Sequence, residues 1–398
     1  MADDEQAVEQ RAASSVKDKL WTRDFVQILT INCMVFISFQ MLVPVLPLYV
    51  TTIGGNEASV GLVMAALTLA VLLVRPFTGW LVDHQGRRVV MIASFTTFTL
   101  ATALLAHPLA ASVAALIAIR IAQGIGWSGI NPSVSAIVTD IIPARRLGEG
   151  LAYQSTSQSI AMAIGPASGL FVLGLAGYTP TFLISVALGA LALVLSLWVR
   201  QSYFPRTTRE GFRLRDLIEA SSLAPSTITA LTTFTFGGLA SFVPLATMER
   251  DLGNPAAFFV TFAVGLIIIR PITGHLSDAV ARRGAFLLPG LALIFSCLLV
   301  LAFTEAPWTL VTTGLLWAIG FGITQPVLRV MAVLEAPQER WGAANATMAT
   351  AYEGGMGAGA LLLGALASQV GIPTMFAFSS LVPLLALILV FKWRLHRE

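Results

Sequence analysis

Charge is what this chain has least of. Asp, Glu, Lys and Arg make up 11% of its 398 residues, against roughly 25% in a soluble globular domain. So few charges cannot clothe two or three water-facing domains, which is what the length alone would suggest. Cysteine is nearly absent as well. Cys33 and Cys297 both lie inside apolar runs, which excludes a disulfide framework and a thiolate metal cluster and leaves them as small packing residues. The four histidines, His84, His107, His275 and His396, stand at loops or span ends without metal-ligand spacing. No Gly-x-x-x-x-Gly-Lys-Ser/Thr occurs, and the Gly-rich stretches sit within apolar runs, so neither a phosphate loop nor ATP-driven work by this chain is expected. No enzyme constellation, metal, cofactor or nucleic-acid surface is expected either.

What the chain has instead is apolar length. Hydrophobic residues make up 56% of it, with a mean hydropathy of +0.80, and most runs exceed the roughly 18 residues that cross a bilayer as a helix. The runs predict spans at 25–50, 58–82, 89–107, 109–140, 149–176 and 179–200, and again at 223–247, 255–277, 285–303, 307–334, 342–369 and 372–392. The expected fold is all-α and integral to the membrane, with twelve transmembrane helices in two pseudo-symmetric six-helix bundles. Residues 1–24 read as a polar tail without a signal-peptide pattern, 25–200 as the first bundle, 201–222 as a linker, 223–392 as the second bundle and 393–398 as a short tail. Phe212, Leu214, Leu217 and Ile218 among charged neighbours give that linker either a short surface-lying amphipathic helix or a solvated tether.

The 24 Lys and Arg residues give the orientation. Arg250 alone falls on one side, and Arg75, Arg120, Arg270 and Arg329 fall within spans. The rest collect on the other side, with both termini and the linker. That side is predicted to be cytoplasmic, so the net charge of +3 is a topology signal. The setting expected is a cell inner membrane, crossed many times by a monomer embedded in lipid.

The two halves repeat. Arg75, Pro76, Thr78, Gly79, Leu81, Asp83, Arg87 and Arg88 recur as Arg270, Pro271, Thr273, Gly274, Leu276, Asp278, Arg282 and Arg283, each 195 positions later. Gly126, Pro132, Pro143, Arg146 and Gly148 recur 194 positions later as Gly320, Pro326, Pro337, Arg340 and Gly342. Gly165, Gly169 and Gly174 match Gly355, Gly359 and Gly364 after a further gap. Such self-similarity marks a duplicated architecture.

Gly79-x-Leu-x-Asp83-x-x-Gly86-Arg87-Arg88 resembles the signature of the loop between helices 2 and 3 in the major facilitator superfamily. Arg120-x-x-Gln123-Gly124-x-Gly126 is similar to that family's helix 4 motif. Gly165-Pro166-Ala167-Ser168-Gly169 resembles the core of the helix 5 motif of its proton-coupled antiporter branch, with Leu170 where a further Gly is common. The resemblance covers essentially the whole chain. It implies a secondary transporter of the twelve-span drug or small-molecule:proton antiporter type, which moves a small organic solute by alternating access.

Charges deep in a bilayer cost about 2.5–3.5 kcal/mol each on insertion scales, so those present mark function first. Glu353 is the only acid predicted near the middle of a span, preceded by Tyr352 and followed by Gly354-Gly355. A carboxyl held away from water is suited to taking up and releasing a proton, and Arg120 or Arg329 is its expected partner. Arg120, expected near the middle of the fourth span, shares one face of that helix with Gln123, Trp127 and Asn131, and the four are expected to line a solute cavity. Helix 1 adds Asn32, Phe36 and Gln40, helix 5 adds Gln154 and Gln158, helix 10 adds Trp317, Gln325 and Arg329, and helix 11 adds Tyr352. A gating role is expected for Asp83, Arg87, Arg88 and Asp140 and for Asp278, Arg282 and Arg283, because topology alone needs no acid at a duplicated position. Proton-coupled export is the first reading. Proton-coupled uptake or uniport of a metabolite is the second, and a transport-inactive sensor or scaffold a third, which the intact charged loops disfavour.

Overall fold

A computed structural model describes residues 20–199, 218–279, 286–306, 308–337 and 340–395, apart from the side chains of 83, 144, 271, 274–279, 394 and 395. The spans appear as helices α1 (Arg23–Thr52), α2 (Glu57–Gln85), α3 (Arg87–Ala103), α4 (Val113–Ile141), α5 (Leu147–Ala176), α6 (Tyr178–Ser196), α7 (Leu223–Glu249), α8 (Ala256–Ala279), α9 (Leu287–Phe303), α10 (Thr309–Leu334) and α11 (Trp341–Val370). The twelfth breaks at Ser380 into α12 (Ile372–Ser379) and α13 (Leu381–Leu395). No strand occurs among the described residues.

The ends follow from local chemistry. Thr22, Asn56 and Ser112 accept backbone N–H bonds from Phe25, Ser59 and Ala115 and so cap α1, α2 and α4. Gly86, Gly177 and Gly371 take positive φ values of 99°, 84° and 81° where one helix hands over to the next. Gly177 and Gly371, 194 positions apart, end α5 and α11 respectively. The turn after the fifth helix of each half is thus built the same way, a further element of the repeat.

Packing repeats too. In the first half α1 packs on α5 and α6, and α4 on α2 and α3; in the second, α7 packs on α11 and α13, and α10 on α8 and α9. The two six-helix bundles meet where α2 lies on α11, α5 on α8 and α1 on α7. Large apolar side chains on the outside, such as Leu73 at 81% exposure, need no protein cover in lipid.

Glycines set how closely these helices approach. A Cβ on Gly169 would stand 2.3 Å from the Met41 carbonyl oxygen of α1, and one on Gly359 would stand 1.9 Å from that of Phe234 in α7. Backbone cannot yield as a side-chain tip can. The glycines of the helix 5 motif therefore serve helix contact, in both halves. Gly359→Ala should cost roughly 1–3 kcal/mol by overpacking, read as a lower unfolding temperature in detergent. Gly174→Ala, with nothing within 4 Å of the new carbon, should leave that temperature unchanged.

Where the linker enters α7, Glu219 accepts bonds from the Ser221 hydroxyl and amide and pairs with Arg340, while its own N–H donates to Thr347. The Ser221 donors first, and Arg340 after them, hold this carboxyl below its ordinary range. It stays ionised at neutral pH, and its contribution to stability is lost only as pH falls below that range. Residues 1–19 of the tail, 201–217 of the linker and 396–398 lie outside the described residues.

Candidate solute and coupling site

The seam between α2 and α11 carries the chemistry. At the end of α2 farther from Arg87 it is drawn tight by glycine. A Cβ on Gly61 would meet the Ala360 carbonyl oxygen at 2.6 Å, and one on Gly364 would meet that of Glu57 at 2.8 Å. Farther along, Gly357 faces Thr68 and Gly354 faces Leu72. Next comes an ion pair between the bundles: Arg75 Nη2 donates to Glu353 Oε1 at 3.2 Å, with both side chains partly buried. By helical rise, Arg75 lies roughly 15 Å from the end of α2 and Glu353 roughly 18 Å from the start of α11. The two meet at matching depth.

Sequence reasoning expected Glu353 to pair with Arg120 or Arg329. The structure corrects the partner to Arg75. It also relocates Arg120, which lies roughly 10 Å from the start of α4 by helical rise and not near its middle. At 2% exposure, Arg120 donates to the Val63 carbonyl of α2 at 3.4 Å and to Gln123 Oε1 at 3.1 Å. Gln123 in turn donates to Thr102 at 3.0 Å. This guanidinium ties α4 to α2 and, through Gln123, to the end of α3. Arg120→Ala should therefore lower stability by about 1–3 kcal/mol through the stranded polar groups. Thermal unfolding would report that loss, while the solute dissociation constant should stay within about twofold.

The aromatic candidates divide by burial. Trp127 is buried against Phe36, Phe39 and Phe98, with its ring centroid 4.1 Å from that of Phe39. Trp317, at 0% exposure, stacks with Phe236 and Phe321. Both tryptophans belong to the interiors of their bundles, a correction to their expected place in a cavity wall. Phe36 is only partly buried.

The amides do converge. Asn32 Nδ2 donates to Ser157 Oγ at 2.7 Å, Gln158 Nε2 to Asn131 Oδ1 at 3.2 Å, and Gln154 Nε2 to Ser135 Oγ at 2.8 Å. These bonds join α1, α4 and α5 in one polar network. The Asn32 Oδ1 is buried without a hydrogen-bond partner among the described residues. Gln40 packs against Gly165. In the second bundle Gln325 Nε2 donates to Thr232 Oγ1 at 2.9 Å. Tyr352 on α11 lies within electrostatic range of Glu353, Arg270 of α8 and Arg329 of α10. Spacing along one helix singled out each amide, but the meeting of Arg75 with Glu353 joins positions 278 apart and has no spacing signal.

At the loop after α2, Gly86 makes the turn, Arg87 pairs with Asp140 and donates to the Ala136 carbonyl, and Arg88 donates to the Leu197 carbonyl. The start of α3 is thereby fastened to the ends of α4 and α6. The side chains of Asp83 and Asp278, and Arg282 and Arg283 entirely, lie outside the described residues.

The Major Facilitator Superfamily model matches residues 28–225 and 225–398. The chain is 26% identical over 321 residues to the multidrug resistance protein MdtG of Enterobacter lignolyticus, covering 76% of this chain and 75% of that one. It is 22% identical over 304 residues to the quinolone resistance protein NorA of Staphylococcus aureus, covering 74% and 77%. Among solved structures, a POT family transporter in complex with 5-aminolevulinic acid superposes with a TM-score of 0.77 at 14% identity, over 95% of this chain and 97% of that one. That similarity shows a shared fold.

Proposed function

This chain belongs to the Major Facilitator Superfamily, and from that membership we propose that it exports a small organic solute in exchange for protons, with Glu353 as the exchanging carboxyl. It is a multi-pass membrane transporter and not an enzyme. The drug- and quinolone-resistance relatives support export over uptake. The excess of Lys and Arg on the side of the termini and linker supports placing that side in the cytoplasm of a cell whose inner membrane holds the protein.

The observation that carries this reading is the Arg75–Glu353 bond, because it is ionic, protonatable and shared between bundles. Two bundles that rock about a central site must break contacts on one side and make them on the other. An ion pair across the seam favours one arrangement only while the carboxyl is ionised. A proton on Glu353 removes the charge that Arg75 holds, and the seam loosens. The same carboxylate can serve a cationic group of the solute, so proton and solute compete for it and exchange follows. The amide network of Asn32, Asn131, Gln154 and Gln158, with Phe36, Gln40 and Gln325, offers hydrogen bonds and apolar area for the rest of the solute. The Arg87–Asp140 pair and Arg88, with Asp83 and their counterparts Asp278, Arg282 and Arg283, brace the helix ends that move.

Flux in inverted and right-side-out vesicles under an imposed pH gradient tests this, using a panel of amphiphilic and zwitterionic solutes. Accumulation should occur in inverted vesicles acidified inside and collapse with a protonophore. Accumulation that ignores the gradient, or that appears only in right-side-out vesicles, would replace export with uniport or uptake.

A further inference from the structure

Thr78 of α2 and Pro132 of α4 both recur in the second half, as Thr273 and Pro326. In the first bundle the two are linked. Pro132 lies inside α4 and has no N–H, so the carbonyl of Ser128, four residues earlier, has no donor in its own helix. Thr78 supplies one from α2. Its buried hydroxyl donates to the Ser128 carbonyl at 3.2 Å and shares that hydrogen with the Arg75 carbonyl at 3.0 Å. Within a bilayer no water can take the place of that donor.

The bond stands one turn from the ion pair of the seam. Arg75, three residues before Thr78, is the partner of Glu353 across the bundles. Pro76 also lies inside α2, so the Leu72 carbonyl lacks its intrahelical donor too. The turn that carries Arg75 is therefore held by one backbone bond fewer than an ordinary helical turn, and helices bend at such points. A change of bend there would carry the guanidinium off Glu353. The Thr78 hydroxyl fastens this turn to α4, which packs along α2 in the same bundle.

The second bundle keeps the residues without the bond. There α8 packs on α10 as α2 does on α4, and Pro326 inside α10 frees the Gly322 carbonyl. Thr273 is buried like Thr78, yet its hydroxyl donates to the Ile269 carbonyl of its own helix at 2.9 Å. The Ile269 side chain is packed on Gly322, where an added Cβ would stand 2.2 Å from it. Among the described residues, the bridge from the repeated threonine to the carbonyl freed by the repeated proline forms only in the bundle whose arginine pairs with Glu353.

We propose that Thr78 is a positioning residue for transport: by joining the Arg75 turn to the Ser128 carbonyl, it fixes the bend of α2 at which Arg75 meets Glu353. The proposal rests on the reading above, in which that ion pair sets the seam.

Pulsed dipolar distances between spin labels at Val89 and Leu334, both exposed, test it at one neutral pH and without solute. The protein is held in lipid nanodiscs with Cys33 and Cys297 replaced. Thr78→Val keeps the side-chain shape and removes the donor, so the ratio of separated to joined bundles should rise about threefold, the factor that a net hydrogen bond is worth. Thr78→Ser restores the hydroxyl and should return the ratio to that of the otherwise native protein. Thr273→Val should leave it there. In an Arg75→Gln background, Thr78→Val should add nothing, because the group it positions is gone; a merely structural loss would add its effect in both backgrounds. Should Thr78→Val fail to fold, Thr78→Ala makes the same comparison. A distribution in the folded variant that matches the native one, an equal change in both backgrounds, no recovery in Thr78→Ser, or the same change in Thr273→Val would each overturn the proposal. Normal uphill transport by Glu353→Gln would remove the coupling reading and leave this comparison standing, so the two fail separately.

Discussion

Glu353→Gln should reduce proton-driven accumulation to the background of empty vesicles, while the purified protein should keep its fold and bind solute with an affinity that no longer varies with pH. The amide has the size of the carboxyl and neither charge nor a titrating proton, so it holds the seam permanently in the loosened condition. Arg75 then loses its ionic partner, and solute equilibrates downhill without coupling. Arg75→Gln breaks the same bond from the other side but leaves a titrating acid, so it should slow flux while preserving a pH-dependent affinity. Parallel measurements of uphill accumulation, downhill counterflow and binding at several pH values separate the two. Normal uphill transport by Glu353→Gln would remove Glu353 from the coupling route.

Gly61→Val should lower transport at least tenfold through a different failure. The Cβ introduced there meets the Ala360 carbonyl oxygen at 2.6 Å, and this is backbone on the opposing bundle. The two bundles can no longer close along this end of the seam, which leaves it open to reagents. Labelling of a cysteine placed at Thr68, which packs on Gly357, should therefore rise from the side remote from the Arg87 loop. Gly79→Ala in the same helix, where nothing lies within 4 Å, should transport normally. Wild-type flux in Gly61→Val would mean that this face of α2 does not close during the cycle.

Much of the architecture was legible because apolar length and duplicated rare residues are one-dimensional signals. The predicted spans agree with α1–α13 to within a few residues, except that the third and fourth meet in short 3-10 turns at 104–110. That exception explains the misplacement of Arg120. With the fourth span starting at 109 rather than 113, Arg120 seemed more central than it is. Arg120, Gln123, Trp127 and Asn131 share a helical spacing on α4, but Arg120 and Gln123 bond to α2 and α3, and Asn131 joins the amide network with α5. Arg75 falls within a predicted span, but its partner Glu353 belongs to the other bundle. Which arginine answers which acid depends on how the bundles dock, and no period within either bundle encodes that.

The central claim is that protonation of Glu353 releases the two bundles from each other. Spin labels at Val89 on α3 and Leu334 on α10, both exposed, read the separation of the bundles on the basic side once Cys33 and Cys297 are replaced. Pulsed dipolar distances in lipid nanodiscs, taken from neutral to acid pH, should shift between two populations in the otherwise native protein. In Glu353→Gln they should stay at the acid distribution at every pH. An unchanged pH response in that variant would contradict the account.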